Sequence, residues 1–257
     1  MKSKVALFLL PLMGLMACQS TPINDPGQRP ASTQPGQQQE NQTQEEVVIP
    51  ITREPEGIDP IYEESLRAKA EREREIHLTL VQRMIQQDST YAALAHLDAY
   101  QQKWGTSLAS QRLRADALRK TRQFDQAEAI YQTLLSSENS SQAWYGLGRV
   151  AIDKGDLTTA VPRLEKAIDR DPLYVEAYSD LGLVYLLLNN KQPAYDTLMK
   201  ASQLSNNDPK VLANLALWGL VFQDFDLARS VADRLDWSDE TRGQVLQQAS
   251  RIRERFQ

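Results

Sequence analysis

Three sets of residues in this chain could do chemistry, each of a different kind. Gly146-Leu147-Gly148-Arg149-Val150-Ala151 fits the dinucleotide fingerprint G-x-G-x-x-A, and Glu165 or Asp169 follows at roughly the distance where a ribose hydroxyl would be held. Such a turn would make the protein a nucleotide-dependent enzyme. His77 and His96 are the two histidines, and imidazole serves as acid–base catalyst or metal ligand. Cys18 is the single cysteine. None of these groups has the company its chemistry needs. The histidines have no nearby cysteine and no second pair, so they do not build a zinc site. No G-x-S-x-G, Walker loop or H-E-x-x-H occurs, and no acid–base pair stands out among the carboxylates of solvated helix faces. The expectation is no enzyme, no metal and no small-molecule substrate.

The elements that would have to position the glycines decide against a nucleotide. A Rossmann fingerprint follows a strand and opens a helix, and nothing before Ala143 reads as a strand. From about Ser65 apolar residues recur three and four apart, which predicts helices throughout. With Ser141 at position 1 of a 34-residue unit, Trp144, Leu147, Gly148, Ala160, Leu164, Ala167 and Pro172 fall at positions 4, 7, 8, 20, 24, 27 and 32. That is the pattern of the tetratricopeptide repeat, or TPR, departing at positions 11 and 24, where Ala151 and Leu164 stay apolar. Units from Val175 (Tyr178, Leu181, Gly182, Tyr185, Ala194, Leu198, Ala201) and Pro209 (Leu212, Leu215, Ala216, Gly219, Ala228, Ala232, Leu235) follow without a gap. Upstream, Ala127, Tyr131 and Leu134 fit a unit from Leu108 that is one residue short. Leu80, Met84, Ala93, Leu97 and Tyr100 fit a degenerate unit from Arg74.

In this pattern small residues at positions 8, 20 and 27 let paired helices approach, and bulky ones fill the space between. Gly148 is then a packing glycine in mid-helix, and Gly155 lies in the turn between helices. Proline at position 32 ends the second helix, because it lacks an amide donor and disfavours helix in the residue before it. Ser238 is a plausible N-cap for a last helix, with Asp239 and Glu240 in its first turn. The charged run "KAEREREIH" reads as the solvated start of the first helix.

The N-terminus carries an address. Lys2 and Lys4 precede "VALFLLPLMGLM", a run too short to span a bilayer, and Leu15-Met16-Ala17-Cys18 has the form of a bacterial lipobox. Cys18 is then the lipidation site, its lipid the only covalent addition expected and no cofactor required. Gln19, rather than aspartate, at the next position points to the outer membrane, facing the periplasm. Between Gln19 and Pro60 lie seven of the twelve prolines and runs such as "STQPGQQQENQTQEE", a composition that cannot bury enough apolar surface to fold. This tether of roughly forty residues would span roughly 35–40 Å as a coil. Net charge is -5, with no basic excess of the kind nucleic-acid binding needs.

The expected organisation is a signal peptide at 1–17, lipidated Cys18 and a disordered linker to 64, a degenerate helical pair at 65–107, repeats at 108–237 and a capping helix at 238–257. The fold class is all-α, a right-handed TPR superhelix of antiparallel helix pairs preceded by the tether. Such arrays bind proteins on the face of the first helices, at positions 2, 5, 9, 12 and 13. Arg112, Arg119, Tyr145 and Arg149 would line a polar, basic N-terminal end of this groove, and Leu183, Leu187, Leu217 and Val221 an apolar C-terminal end, the alternative being that the C-terminal helix or the next repeat buries several of these apolar residues. Leu181 and Leu215, at position 7, are expected in the core.

Lipobox, Pro/Gln-rich tether and short repeat array together resemble the TadD family, lipoproteins of the tight-adherence (Flp, type IVb) pilus systems. The resemblance covers 108–235 and the lipobox, through "ADALRKTRQFDQAEAIYQTLL", "GLGRVAIDKGDLTTAVPRLEKAIDRDP" and "DLGLVYLLLNNKQPAYDTLMKA". It implies an assembly factor that places or stabilises the outer-membrane secretin of the pilus machine, without catalysis. Two other readings fit the same features. One is a pilotin for ordinary type IV pili or a scaffold for other envelope machines, such as β-barrel insertion or protease adaptors. The other is an accessory to a cell-wall enzyme or a peptidoglycan-binding protein.

Overall fold

Apolar residues three and four apart, with small residues among them, should give short amphipathic helices that pair closely. The computed structural model describes residues 59–138 and 140–257, and these are helical almost throughout. Its eleven described helices are α1 (Pro60–Gln86), α2 (Thr90–Trp104), α3 (Leu108–Lys120), α4 (Phe124–Leu134), α5 (Ser140–Lys154), α6 (Leu157–Arg170), α7 (Val175–Leu187), α8 (Lys191–Leu204), α9 (Pro209–Val221), α10 (Phe225–Arg234) and α11 (Asp239–Arg253). No strand occurs among the described residues. The signal segment, Cys18 and nearly all of the linker lie outside them. The first helix starts at Pro60, ahead of the expected 65, since proline fits the first turn of a helix, where its missing amide would have had no partner.

The repeat is written into the backbone as well as the side chains. Asp88, Arg122, Gly155, Asn189 and Gln223 all have φ between 59° and 79°. They stand 34, 33, 34 and 34 residues apart, each in the turn joining the two helices of a pair. One residue on, the amides of Ser89, Gln123, Asp156, Asn190 and Asp224 reach back five residues to the carbonyls of Met84, Leu118, Ala151, Tyr185 and Gly219. This closes each first helix with a Schellman-type stop, which satisfies a carbonyl that the helix itself leaves free. The single short interval falls between the units at 108 and 141, where the sequence ruler also loses one residue.

Within each pair the close approach depends on small residues. A Cβ added to Gly148 would stand 2.7 Å from Leu164 Cδ2, and one added to Gly182 would stand 2.6 Å from Leu198 Cγ, the same two positions one repeat on. Between pairs, a Cβ on Gly146 would run into the ring of Tyr131. Ala160, Ala167, Ala194, Ala201, Tyr131, Leu164 and Leu198 are fully buried, and so are the expected core residues Leu181 and Leu215.

The first pair departs from the expected register. Val81 and Ile85, not Leu80 and Met84, supply the buried stripe of α1, which packs with Ala93, Leu97, Leu113 and Ala117. Among the described residues α1 packs against α2 and α3, and its buried face turns toward them. His77 and His96 also take packing roles. The His77 ring stands 5.4 Å from those of His96 and Trp104, and its Nε2 lies 3.0 Å from the His96 carbonyl oxygen.

Gly148→Ala is expected to lower stability by about 1–3 kcal/mol, even though alanine gains about 1 kcal/mol in helix propensity. Leu164 is fully buried and cannot swing aside without disturbing its neighbours. A urea melt checks this, and an unchanged midpoint would refute the packing role.

Candidate protein-binding groove

Gly146 to Ala151 lie inside α5, preceded by helix and loop, so these glycines present no free amides to a phosphate. Glu165 is committed elsewhere. It accepts a 2.7 Å hydrogen bond from the Tyr185 hydroxyl, whose pKa is pushed up to about 12 by burial first and by Glu165 second. No group of three or more His, Cys, Asp or Glu placed to hold a metal occurs among the described residues, and no described helix is long and apolar enough to cross a membrane.

The first helices of the pairs, α3, α5, α7 and α9, are joined by polar contacts close to one repeat apart. Arg119 on α3 is paired with Asp153 on α5, 34 residues on. Tyr145 on α5 donates to Asp180 Oδ2 on α7 at 2.9 Å, 35 residues on. Asn214 Nδ2 on α9 donates to Ser179 Oγ on α7 at 2.9 Å, again 35 apart. Arg149 Nε stands 3.7 Å from the same Asp180 carboxylate, and its guanidinium lies 5.7 Å from the Tyr145 ring centre. Arg112 pairs with Asp116 at 3.3 Å, and Asp116 in turn accepts a 2.6 Å hydrogen bond from the Tyr131 hydroxyl.

Arg112, Arg119, Tyr145 and Arg149 all lie on these first helices, but not as a basic surface. Each arginine faces an aspartate, so the charge is matched in place. Arg119 is only 5 % exposed and its Nε has no hydrogen-bond partner, whereas Arg149 stays half-exposed. Asp180 is the residue that sequence reasoning missed, because position 6 is not among the family's groove positions. Burial raises its pKa, against the pull of Arg149 and the Tyr145 hydrogen bond. Burial, then the Asp180 charge, raises the pKa of Tyr145 as well, and the Tyr174 ring packs 4.9 Å from the Tyr145 ring.

At the apolar end each of the two readings holds for part of the set. Leu183 and Leu187 are half-buried, but Leu217 and Val221 are core. The cause is α11, which packs on α9, so that its Val245, Ala249 and Ile252 share one cluster with Leu217 and Val221. Ser238 caps this helix as expected, accepting from the Thr241 amide at 3.2 Å.

Antiparallel helix pairs stacked at a 34-residue period define a repeat solenoid. Residues 112–162 and 145–209 match the tetratricopeptide repeat family model, so over this stretch the chain is a TPR array. A TPR repeat-containing protein of Pseudomonas aeruginosa is 30% identical over 163 residues, 63% of each chain, so this chain spans less than two thirds of that relative. A thermophilic TPR protein of Thermus thermophilus superposes with a TM-score of 0.58 at 18% identity, over 70% of this chain and 98% of that one. Pseudomonas aeruginosa PilF does so with a TM-score of 0.52 at 20% identity, over 68% and 76%. At these identities the structures establish the fold. A TPR array is a scaffold for protein–protein contacts, and the polar face across α3, α5 and α7 is the part of the groove left open here.

Leu217→Ala is expected to lower stability by about 2–5 kcal/mol, as for a core leucine. Arg149→Ala should change it by less than about 1 kcal/mol, since its ion pair is long and half-exposed. Chemical melts of the two variants check this. Equal losses would place Arg149 in the core rather than in an open groove.

Proposed function

We propose that the chain is a lipid-anchored scaffold of the bacterial outer membrane, facing the periplasm, that captures a protein partner through the open face of α3, α5 and α7. The observation that carries this is the unfilled polar face, whose half-exposed Arg149 and half-buried Asp180–Tyr145 pair offer donors and acceptors on a rigid frame. A segment bound there would exchange water for hydrogen bonds to Arg149 and Arg112 and lay an apolar side chain against Leu183 and Leu187. Leu15-Met16-Ala17-Cys18 supports the anchor. Diacylglyceryl transfer to the Cys18 sulfur and acylation of the new N-terminus would supply the two or more chains that stable attachment takes.

The partner proposed is the outer-membrane secretin of a tight-adherence (Flp, type IVb) pilus. This reading is supported by the lipobox, the proline- and glutamine-rich leader and the TPR array together. No nucleic acid, small-molecule substrate or catalytic step enters it.

Deleting the gene should remove secretin multimers from outer-membrane fractions, and the wild-type chain should restore them. Cys18→Ser should fail because the chain is unanchored, and Arg149→Glu should fail although the chain is folded and anchored. Secretin multimers that persist in the deletion strain would rule this partner out. An outer-membrane location for Cys18→Ser would rule out the anchor.

A further inference from the structure

Helix α11 lies where a partner's segment would lie, although its residues are those of a further stacking helix. On the 34-residue ruler the unit after Pro209 begins at Gly243, which puts Val245, Leu246, Ala249, Ser250 and Ile252 at positions 3, 4, 7, 8 and 10. In the unit from Val175, positions 3, 7 and 10 are Ala177, Leu181 and Val184, all buried, and position 8 is the packing glycine Gly182. A helix with this pattern would stack on α10, as α5, α7 and α9 stack on α4, α6 and α8, yet α11 packs on α9. The cause is a short unit. Helix α10 has 10 residues where α6 and α8 have 14, so α11 begins 30 residues after α9, about one helical turn early.

On α9 this helix covers Leu217 and Val221, at groove positions 9 and 13, whose counterparts Leu183 and Leu187 one repeat earlier stay half-buried. Beside α10 a cleft of about 280 Å³ stays open, and Phe225 and Leu246 on its rim are 51% and 48% exposed. Among the described residues the ion pair between α10 and α11 is Arg242 with Asp233 at 3.0 Å, and Asp233 is exposed, so the pair resists a shift only weakly. Moving α11 from α9 to α10 would uncover Leu217 and Val221 and cover Phe225 and Leu246, with Val245, Ala249 and Ile252 buried in either place. Apolar surface lost on one side is regained on the other, which is the condition for two states close in free energy.

We propose that α11 has two berths, the groove face of α9 where the structure holds it and the open side of α10, and that an amphipathic helix of a protein partner takes the first by sending α11 to the second. Helix α11 is itself the template for that partner. Apolar residues at i, i+4 and i+7 suit the groove, as Val245, Ala249 and Ile252 do. Once uncovered, Leu217 and Val221 join Leu183 and Leu187 in one apolar strip that continues the polar face of α3, α5 and α7. This rests on the reading of the chain as a scaffold that captures a protein, and not on the secretin as that protein.

A synthetic peptide of residues 238–257, added to the full chain, tests this. Spin labels go on the exposed Ser230→Cys of α10 and Gln247→Cys of α11, in a Cys18→Ser background. Pulsed electron resonance should show a second distance population that grows as peptide is added. Leu246→Glu disfavours the α10 berth alone, so it should weaken peptide binding about ten-fold or more with unchanged melting, since Leu246 is half exposed where α11 now lies. Phe225→Glu should do the same from the α10 side. A peptide that binds while the distance stays single has entered the α10 cleft beside a fixed α11, and overturns the proposal. A peptide that does not bind overturns it, and so does equal binding by the wild type and both variants. None of these readouts involves the secretin, so they can fail while that partner stands, or hold while it falls.

Discussion

Each helix pair in this chain can bury its apolar faces only against a neighbouring pair. A lone pair of helices this short has one side occupied by its own partner and another left facing water. Stacking covers that side, and the cover works only where a small residue meets a large one. Tyr131 lies over Gly146 between pairs, while Leu164 and Leu198 lie over Gly148 and Gly182 within them. A shift of one residue would set a bulky side chain against another, so the period is held near 34 residues and the turns are held with it. The left-handed turn residues keep that interval even where the side chain is arginine or glutamine rather than glycine. Packing thus outweighs the local strain of those turns, which glycine would have avoided.

The same constraint fixes the groove. Stacked pairs bring the first helices side by side, and residues one repeat apart come within reach of a hydrogen bond. Arg119 meets Asp153, Tyr145 meets Asp180 and Asn214 meets Ser179 for this reason. A buried arginine without an acid would be costly, so the ladder explains how Arg119 can be almost wholly buried. It also makes the groove neutral and rich in directional groups, where residue types counted along one helix at a time suggest a basic surface.

Much of this was legible in the residues, and the exceptions share a cause. Gly148, Ala160, Leu164 and Ala167 reveal the period because each contact is repeated at a fixed spacing, and the packing roles of Leu181 and Leu215 follow from it. The α1 register and Asp180 were not legible, and the burial of Leu217 and Val221 was legible only as one of two readings, since each depends on what lies beside the residue rather than on its place in the unit. Val81 replaces Leu80 in the core because the helices that α1 meets among the described residues are α2 and α3. Asp180 matters because Tyr145 and Arg149 stand one repeat behind it. Leu217 and Val221 sit at groove positions in a pair whose groove is covered by α11, and the amphipathic pattern of α11 would look the same had it packed on α10.

That choice of resting place divides the surfaces of the array. By lying on α9, α11 contributes Val245, Ala249 and Ile252 to the core at the apolar end of the groove, and open recognition is confined to the polar face of α3, α5 and α7. The same placement gives α10 only an edge of α11, whose Arg242 pairs with Asp233 at 3.0 Å, and Phe225 stays 51% exposed. One helix therefore closes the apolar half of the groove and leaves the end of the solenoid open. The apolar surface still exposed at that end, Phe225 and Leu246, is a consequence of the surface that has been hidden in the groove.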